Sequence, residues 1–483
     1  MKLAEIHPNK LTDWLWEVPK TGDMRVPAHI YASEKLMQDL MHDESLVQAV
    51  NVAHMPGIVK YSLAMPDIHL GYGFPIGGVA AFRIDDGVIS PGGIGYDINC
   101  GVRLIRTDLT HDEIRDRMRE LVNQIFRDVP AGVGSSEAIA RLGRADMEKA
   151  STKGSEWAVA RGYGIHDDLV RTENGGCLNG ADFAKVSDYA IKRGSNEMGT
   201  LGSGNHFLEI DVIDEIYHPE AAAVFGLTKG CIVFQVHCGS RGYGHQICSD
   251  YIKVMQRAME KYNIRLPDRQ LGCAPIKSDE GKSYWGAMAC GANFAWANRQ
   301  TIMHLAIKAF ERVLGRKRDD MGMRLVYDVA HNIAKFETHL VNGEQAKVCV
   351  HRKGATRAFP PNHPDTPAIY RAIGQPVLIP GDMGRRSFVL VGTQSAMERT
   401  FGSTCHGAGR MMSRGAAMRE VDGRDIAGEL LQKGIIVRSK TRKGLGEEVS
   451  EAYKDVADVV DVVDKAGIAK KVAMLRPLAV VKG

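Results

Sequence analysis

The residues best placed to do chemistry are a carboxylate and a thiol, Asp97 and Cys100, set in the glycine-rich stretch SPGGIGYDINCGVR, residues 90–103. Glycine accepts positive φ and lets backbone come close to a ligand, so this bend can aim both groups at one point. A thiolate can bridge two cations while a carboxylate helps to hold them, which makes metal ligation the chemistry to test. A turn aspartate beside a buried cysteine would give the same pair. Four histidines in short glycine- or asparagine-bearing motifs sharpen the choice. They are His206 in GTLGSGNHFLEI (199–210), His237 in GCIVFQVHCGSRGYGH (230–245), His331 in LVYDVAHNIAKF (325–336) and His406 in GSTCHGAGRMMSRG (402–415). Singly, each is explained as well by a core or turn histidine. Together they supply a mixed O, N and S donor set of the kind transition metals select.

The elements that must position these groups can be read from the same segments. YSLAMPDIHLGYGFPIGGVAAF, residues 61–82, predicts strand, turn, glycine-rich loop and strand, with Asp67 and His69 in the turn. Phe207–Ile210 opens a strand carrying Glu209, and residues 230–237 form a buried strand that delivers His237 into a glycine turn holding Arg241. LVYDVAHNIAKF, residues 325–336, carries a strand into Asp328, His331 and Asn332; a further strand lies near 347–351, and 377–392 reads as strand, tight glycine turn, strand. The loop around His406 can wrap a phosphate with backbone amides and two guanidiniums, Arg410 and Arg414. Helices are expected around Ser33–Val52, as one or two buried helices over 283–314, and over 111–128. In the last, Ile114, Met118, Leu121, Val122, Ile125 and Phe126 share a face, and Thr110 with Glu113 makes a capping box. Residues 131–196 read as an irregular connection with a helix inside and no chemistry. No GxGxxG or Walker lysine motif marks a Rossmann or P-loop site.

Composition bounds what this set can belong to. At 483 residues the chain admits one large core with insertions or two or more domains. With 44% hydrophobic and 25% charged residues it is an ordinary globular sequence, and 52 glycines imply many tight turns. No run of about 18 apolar residues could span a bilayer, and MKLAEIHPNK contains no apolar export segment. A cytoplasmic location is expected, and nine scattered cysteines suit a reducing compartment. The net charge of +4 demands no polyanionic partner. Local clusters at Lys433, Arg438, Lys440, Arg442 and Lys443, at Arg316–Arg318 and at Arg352–Arg357 offer either phosphate contacts or solvated surface.

MPDIHLGYGFPIGG, GYDINCGVR, GSGNHFLE, HCGSRGYGH, DVAHN, PGDMGRRSFVL, CHGAGR and the terminal VVKG together resemble the RtcB family of RNA ligases, in order and over nearly the whole chain. The resemblance implies joining of an RNA 3'-phosphate or 2',3'-cyclic phosphate end to a 5'-hydroxyl end, as in tRNA splicing and RNA repair, with GTP consumed and two Mn²⁺ bound. It implies that Asp97, Cys100 and His206 hold one ion and Cys100, His237 and His331 the other. His406 becomes the nucleophile that takes GMP, with Asp67 as candidate acceptor for its second nitrogen. Nucleotide contacts are implied at Asn205, His206, Phe207, Leu208, Glu209, His331, Asn332, Pro380, Gly381, Asp382, Met383, Ser387, His406, Gly407, Ala408, Gly409, Tyr453 and Lys482. Asp382 stands where related sequences suggest a small hydroxyl residue. Tyr453 is read on a helical stretch with Val456, Val460 and Val463, and Lys482 requires the tail to fold back. Arg241, Arg410 and Arg414 are candidates for RNA or GTP phosphates.

The fold expected is α+β: one compact catalytic unit over residues 1–483, with mixed sheets and peripheral helices and neither Rossmann nor P-loop. RNA is the expected partner, with an archease-type activating protein as a second. Two other classes fit parts of the pattern. A two-metal phosphoesterase uses the ligands but leaves His406 and Lys482 without a task, and a noncatalytic RNA-binding component uses only the basic clusters.

Overall fold

A computed structural model describes residues 2–132 and 134–483. Its architecture is α+β, organised on two large sheets. The first runs in the order Asn9–Thr12, Leu15–Val18, Ala28–Tyr31, Ser62–His69, Ile76–Arg83, Glu344–Lys353, Asn332–Val341. The second runs Arg324–Ala330, Gly101–Thr110, Cys231–Cys238, Phe207–Ile216, Ala469–Lys482, Ser387–Gly392, Pro376–Ile379, with Ile436–Ser439 alongside Ala469–Lys482. Pairing is antiparallel except at Ala28–Tyr31 with Ser62–His69 and at Ile436–Ser439 with Ala469–Lys482. Helices do not alternate with parallel strands here, so the doubly wound arrangement is excluded.

Two features of this topology set up the site. His331 is the single residue between Arg324–Ala330 in the second sheet and Asn332–Val341 in the first, so the chain changes sheets there. Within the second sheet, neighbouring strands put Val102 opposite His237, His237 opposite Phe207, and Phe207 opposite Lys482. Because alternate residues of a strand face opposite sides, this register fixes which side chains share a face.

Behind both sheets lies one 36-residue helix, Asp279–Leu314, where one or two helices were expected. Ser278 caps it by accepting from the Gly281 amide, and Gly315 ends it with φ +66°. At 1.5 Å per residue it spans about 54 Å. Its first half packs into the core of the first sheet through Tyr284, Phe294 and Trp296, and its second half into that of the second through Ile302, Met303 and Phe310. Because it is buried nearly all round, its sequence shows no clean amphipathic stripe.

Residues 111–128 form a helical segment broken by a 3₁₀ turn at Arg115–Arg117, and the Thr110–Glu113 capping box is present. Among its described residues, the stretch 131–196 contains four short α-helices rather than one. Asp67 and His69 lie in the strand Ser62–His69, not in the turn after it. One basic cluster is internal: Arg352 pairs with Glu337 and Arg357 lies 3.6 Å from Glu173, all buried. In Arg316–Arg318 only Arg318 turns inward, to the buried Asp168, while Lys317 is exposed. Arg438 donates to Asn123, and the side chain of Arg442 lies outside the described part. Among the described residues, no helix is long and apolar enough to cross a membrane.

Candidate active site

The bend around Asp97 is held by backbone and amide bonds that leave its side chains free to converge. The Cys100 amide donates to the Asp97 carbonyl at 3.0 Å and the His331 amide to the Cys100 carbonyl at 2.7 Å. Asn332 Nδ2 donates to the Asp97 carbonyl, while its Oδ1 accepts from the Gly354 amide. The Asn332 side-chain amide is therefore spent on the loop, although the residue lines the cavity. Asn99 takes φ +52°, a left-handed turn that asparagine tolerates.

Arg299, from the long helix, braces this loop from behind. It donates to the Asn99 carbonyl at 2.7 Å and the Cys238 carbonyl at 2.9 Å, and pairs with Asp328 through two nitrogens. Arg103 reaches the same carboxylate at 2.8 Å, and all three side chains are fully buried. Burial alone would raise the Asp328 pKa, but the two guanidiniums outweigh it and hold the carboxyl below the usual range.

Metal-ligand groups meet in front of this brace. Donor atoms of Asp97, Cys100 and His206 all lie within 4.8 Å of one another. His206 Nε2 is 2.8 Å from Asp97 Oδ2 and 3.5 Å from Cys100 Sγ, and His237 Nε2 is 3.2 Å from the same sulfur. The ring of His331 sits 5.5 Å from that of His237, centroid to centroid. Its Nδ1 is fixed by Thr356 Oγ1 at 2.9 Å, which leaves Nε2 buried without a partner among the described residues. Close approach demands glycine at two neighbours: a Cβ on Gly239 would lie 2.2 Å from Asp97 Oδ1, and one on Gly202 would lie 1.9 Å from His206 Nδ1.

This donor set fits divalent transition-metal ions. Burial and Asp97 push the Cys100 thiol up to about 12, so the thiolate form needs a cation beside it. His237 and His331 are driven well below the ordinary value by burial and by neighbouring histidines, which keeps the imidazoles neutral as ligation requires. Burial opposes charge on Asp97, yet His206 brings its pKa down to about 2. A buried unpaired Nε2 and a buried thiol beside a half-buried carboxylate are costly without an ion and well matched with one.

His406 stands next to this cluster, its ring 5.3 Å from that of His331. Asp67 Oδ2 accepts from three donors: His406 Nδ1 at 2.5 Å, the His406 amide at 2.8 Å and the Gly407 amide at 3.2 Å. The arrangement fixes the proton on Nδ1 and leaves the Nε2 lone pair for a substrate. Burial raises the Asp67 pKa, but His406 and Lys454 more than reverse this, so the carboxylate stays charged.

Lys454, which no sequence motif marks, brackets Asp67. Its ammonium donates to the carbonyls of Pro66 at 3.0 Å and Ile68 at 2.6 Å, and its amide donates to Gly409. Burial brings its pKa down to about 8.

The cavity in front of His406 measures about 360 Å³, within the range of small-molecule sites. Asn205, Phe207, Glu209, Pro380, Gly381, Asp382 and Met383 line it, as do the loop residues Gly407, Ala408 and Gly409, together with Tyr453 and Lys482. Leu208 and Ser387 are turned elsewhere. Leu208 packs in the core of the second sheet, and Ser387 Oγ receives the Gly381 amide at 3.0 Å, shaping the turn from beneath. Asp382 receives the Gly384 amide and the Ser450 hydroxyl. Tyr453 is extended and bridges to Arg410; the helix begins only at Val456.

Glu448 is a second residue without a sequence signal. Buried in the wall, it lies 3.0 Å from Arg410, 3.5 Å from Arg414 and 3.7 Å from Lys482, and it accepts from the Tyr453 hydroxyl. Arg410 also donates to the Met412 and Glu447 carbonyls, so its guanidinium organises the wall. Arg241 begins a helix at φ +55° and donates to Thr200 and Ser135. Arg414 keeps an exposed side chain. Glu209 and Asp211 share the Gln235 amide, and burial raises both carboxyls, Asp211 to about 7.

A family model described as tRNA-splicing ligase RtcB matches residues 48–483. The tRNA-splicing ligase RtcB of Archaeoglobus fulgidus is 54% identical over 476 residues, 98% of each chain. That of Thermococcus kodakarensis is 53% identical over the full length of both, and the RNA-splicing ligase RtcB of Mycobacterium tuberculosis is 49% identical over 90% of this chain and all of its own. With about half of all positions shared along nearly the entire length, this chain belongs to the RtcB family.

Proposed function

We propose that this protein is an RNA ligase that joins a 3'-phosphate or 2',3'-cyclic phosphate end to a 5'-hydroxyl end, consuming GTP in the presence of Mn²⁺. The observation that carries the reading is the Asp67–His406 pair at 2.5 Å, set beside the convergent ligands Asp97, Cys100, His206, His237 and His331. A phosphoesterase needs the ligands but has no use for a histidine whose second nitrogen is kept ready as a nucleophile. Family membership supports the same class of reaction, since the relatives carry the name tRNA-splicing or RNA-splicing ligase.

Asp97, Cys100 and His206 would hold one ion and Cys100, His237 and His331 the other. Bound there, the ions supply positive charge to offset phosphate oxygens. His406 Nε2 attacks the α-phosphate of GTP and expels pyrophosphate, while Asp67 holds the Nδ1 proton and stabilises the charge that develops on the ring. On a cyclic end, water first breaks the P–O2' bond to leave a 3'-phosphate and a free 2'-hydroxyl. GMP then passes from His406 to the RNA 3'-phosphate as the P–N bond breaks, and the 5'-hydroxyl displaces GMP as the new phosphodiester forms.

Lys482 as donor and Glu209 as acceptor give the cavity wall the complementary pair that a guanine edge needs. Phe207 lies under the Lys482 ammonium at 5.6 Å and closes that side. The backbone of Gly407–Gly409 and the Pro380–Met383 turn supply amides and carbonyls for the nucleotide. RNA is the partner in this reading, with an archease-type activator as a further one.

The test is incubation with α-labelled GTP and Mn²⁺. Label held in an acid-labile, base-stable bond, absent in His406→Ala, is the expected result. Opening of cyclic phosphates without any label on the protein would favour the phosphoesterase instead.

A further inference from the structure

Part of the cavity wall comes from the first sheet and the loops at its end, and the nucleotide reading leaves it without a task. His69, Tyr72, Ile76, Gly95, Tyr96 and Lys353 line it. Tyr72 and Tyr96 meet edge to face with centroids 5.7 Å apart, and Tyr96 stacks on His245 at 4.8 Å with 27° between the planes. All three rings are partly or largely open to solvent, and Leu70 next to them is 58% exposed.

The loop that carries Tyr72 is pinned. Lys353 donates to the Tyr72 carbonyl at 2.6 Å and the Phe74 carbonyl at 2.8 Å. Gln48 bonds both the amide and the carbonyl of Gly71, and the Gly73 amide donates to Gln270. Tyr96 is anchored from the other direction by the Asp97 loop. A group of open aromatic rings held rigidly is the arrangement that stacks nucleobases, because every base presents a π-face and the rings lose little freedom on binding.

Charge points to the same occupant. Burial and then the nearby Arg193 lower the His245 pKa; Arg193 also donates to Gln246, and Arg241 stands on the same helix as His245, with Glu197 offsetting part of their charge. An aliphatic protein partner would gain nothing from guanidiniums beside tyrosine and histidine rings, whereas a polyanion with bases would use both.

We propose that Tyr72, Tyr96 and His245 form a stacking shelf for the terminal nucleobase of an RNA end being joined. This rests on the ligase reading for the identity of its occupant. The shelf sits immediately before the ligand Asp97, so a base stacked there would hold the backbone of that end at the metal-ligand cluster.

The experiment uses RNA oligomers with 2-aminopurine at the 5'-hydroxyl terminus or at the 3'-phosphate terminus, titrated with the full-length protein and Mn²⁺ in the absence of GTP. Quenching is expected at one of the two termini. Tyr72→Ala and Tyr96→Ala should weaken binding roughly 5- to 150-fold each, the range that loss of one base-stacking contact gives, with Phe at either position restoring most of it. An RNA abasic at the quenched terminus should lose a similar factor on the wild type and little more on Tyr96→Ala, a coupling that a merely structural tyrosine would not show.

His245→Ala, on an exposed helical position, gives the same reading if a tyrosine variant fails to fold. Absence of quenching at both termini overturns the proposal, as does full additivity of the abasic and tyrosine changes. A dimer that Tyr96→Ala dissolves while RNA binding is unchanged would assign the rings to a second copy and likewise overturn it. Because no GTP is present, failure of the histidine–GMP reading would appear only in the labelling assay and leave this outcome legible.

Discussion

Asp67→Asn and Asp67→Ala separate two things that the carboxylate does for His406. All three donors, the His406 ring and the amides of His406 and Gly407, converge on Oδ2, while Oδ1 is buried without a partner among the described residues. An asparagine can therefore place its carbonyl oxygen where Oδ2 stands and its amide nitrogen where Oδ1 stands. The Nδ1 proton is still accepted, so the ring keeps its tautomer and orientation, and only the negative charge is lost. A charge-assisted bond contributes about 1.5–3 kcal/mol and a neutral one about 0.5–1.5, so the change should cost about 1–1.5 kcal/mol, or roughly tenfold in rate.

Alanine removes the acceptor altogether, strands two backbone amides and frees the ring. A cost of about 3 kcal/mol or more, over roughly 100-fold in rate, is expected. The assay is single-turnover transfer of label from α-labelled GTP at saturating Mn²⁺, followed over a series of GTP concentrations so that the rate is separated from binding. If Asp67→Asn transferred label as slowly as Asp67→Ala, the argument that one oxygen sets the tautomer would be refuted, and wild-type rates in both variants would refute the role of Asp67.

Lys454→Met keeps the apolar stem but removes two charge-assisted bonds to the carbonyls on either side of Asp67; label transfer should slow by about tenfold with GTP affinity unchanged, and a lowered affinity alone would contradict this. Cys100 has its thiol raised to about 12 by burial, and His206 is raised above its ordinary value against the cost of burial by Cys238, Cys100 and Asp97, so ion binding must displace protons: apparent Mn²⁺ affinity should rise by about tenfold or more per pH unit around neutrality, and Cys100→Ala should lower that slope in calorimetric titration. Asp328→Asn leaves Arg103 and Arg299 buried without a counter-charge and should destabilise by about 3–5 kcal/mol, read by denaturant melts. Its carboxyl is held below the unfolded value of 3.8, so its stabilising contribution is complete above that pH and fades below it. The gap between wild type and Asp328→Asn should accordingly narrow on acidification below about pH 4.

The residues expected to do chemistry stood out because all but His331 sit in short glycine-bearing motifs, while their assignment as ligands and nucleophile came from the family resemblance. Gly239 and Gly202 leave the space that Asp97 and His206 fill, and such glycines stand out in a sequence. Residues that act from a distance left no such mark. Arg299 lies inside a helix buried on all sides, where apolar periodicity is absent; Lys454 stands in a stretch without glycine, and Glu448 follows Gly444 and Gly446 in KGLGEE, where nothing singles out one of the two glutamates. Charge clusters misled for a related reason. Arg352 and Arg357 are neighbouring basic positions only in sequence; their partners Glu337 and Glu173 arrive from other strands and loops, so a patch that reads as surface is internal ion pairing.

The placement of Lys482 shows why sequence separation is a poor guide to the site. The terminal strand pairs antiparallel with Phe207–Ile216, placing Lys482 opposite Phe207, which in turn stands opposite His237. Side chains alternate along a strand, so a slip of one residue would turn the ammonium to the other face and bring Val481 forward. The register is protected by the apolar set on the opposite face, where Leu478, Ala479 and Val481 pack into the same core as Leu208, Ile210 and Val236. Exposing those side chains would cost about 1.5–3 kcal/mol for each large one, so the burial that fixes the tail also fixes its terminal cation. The position of the last lysine is thus decided by apolar residues that never touch a nucleotide. Leu478→Asp should consequently release Lys482 from the cavity and weaken GTP binding as Lys482→Met does, and a variant that keeps wild-type GTP affinity would show the tail to be held by something else.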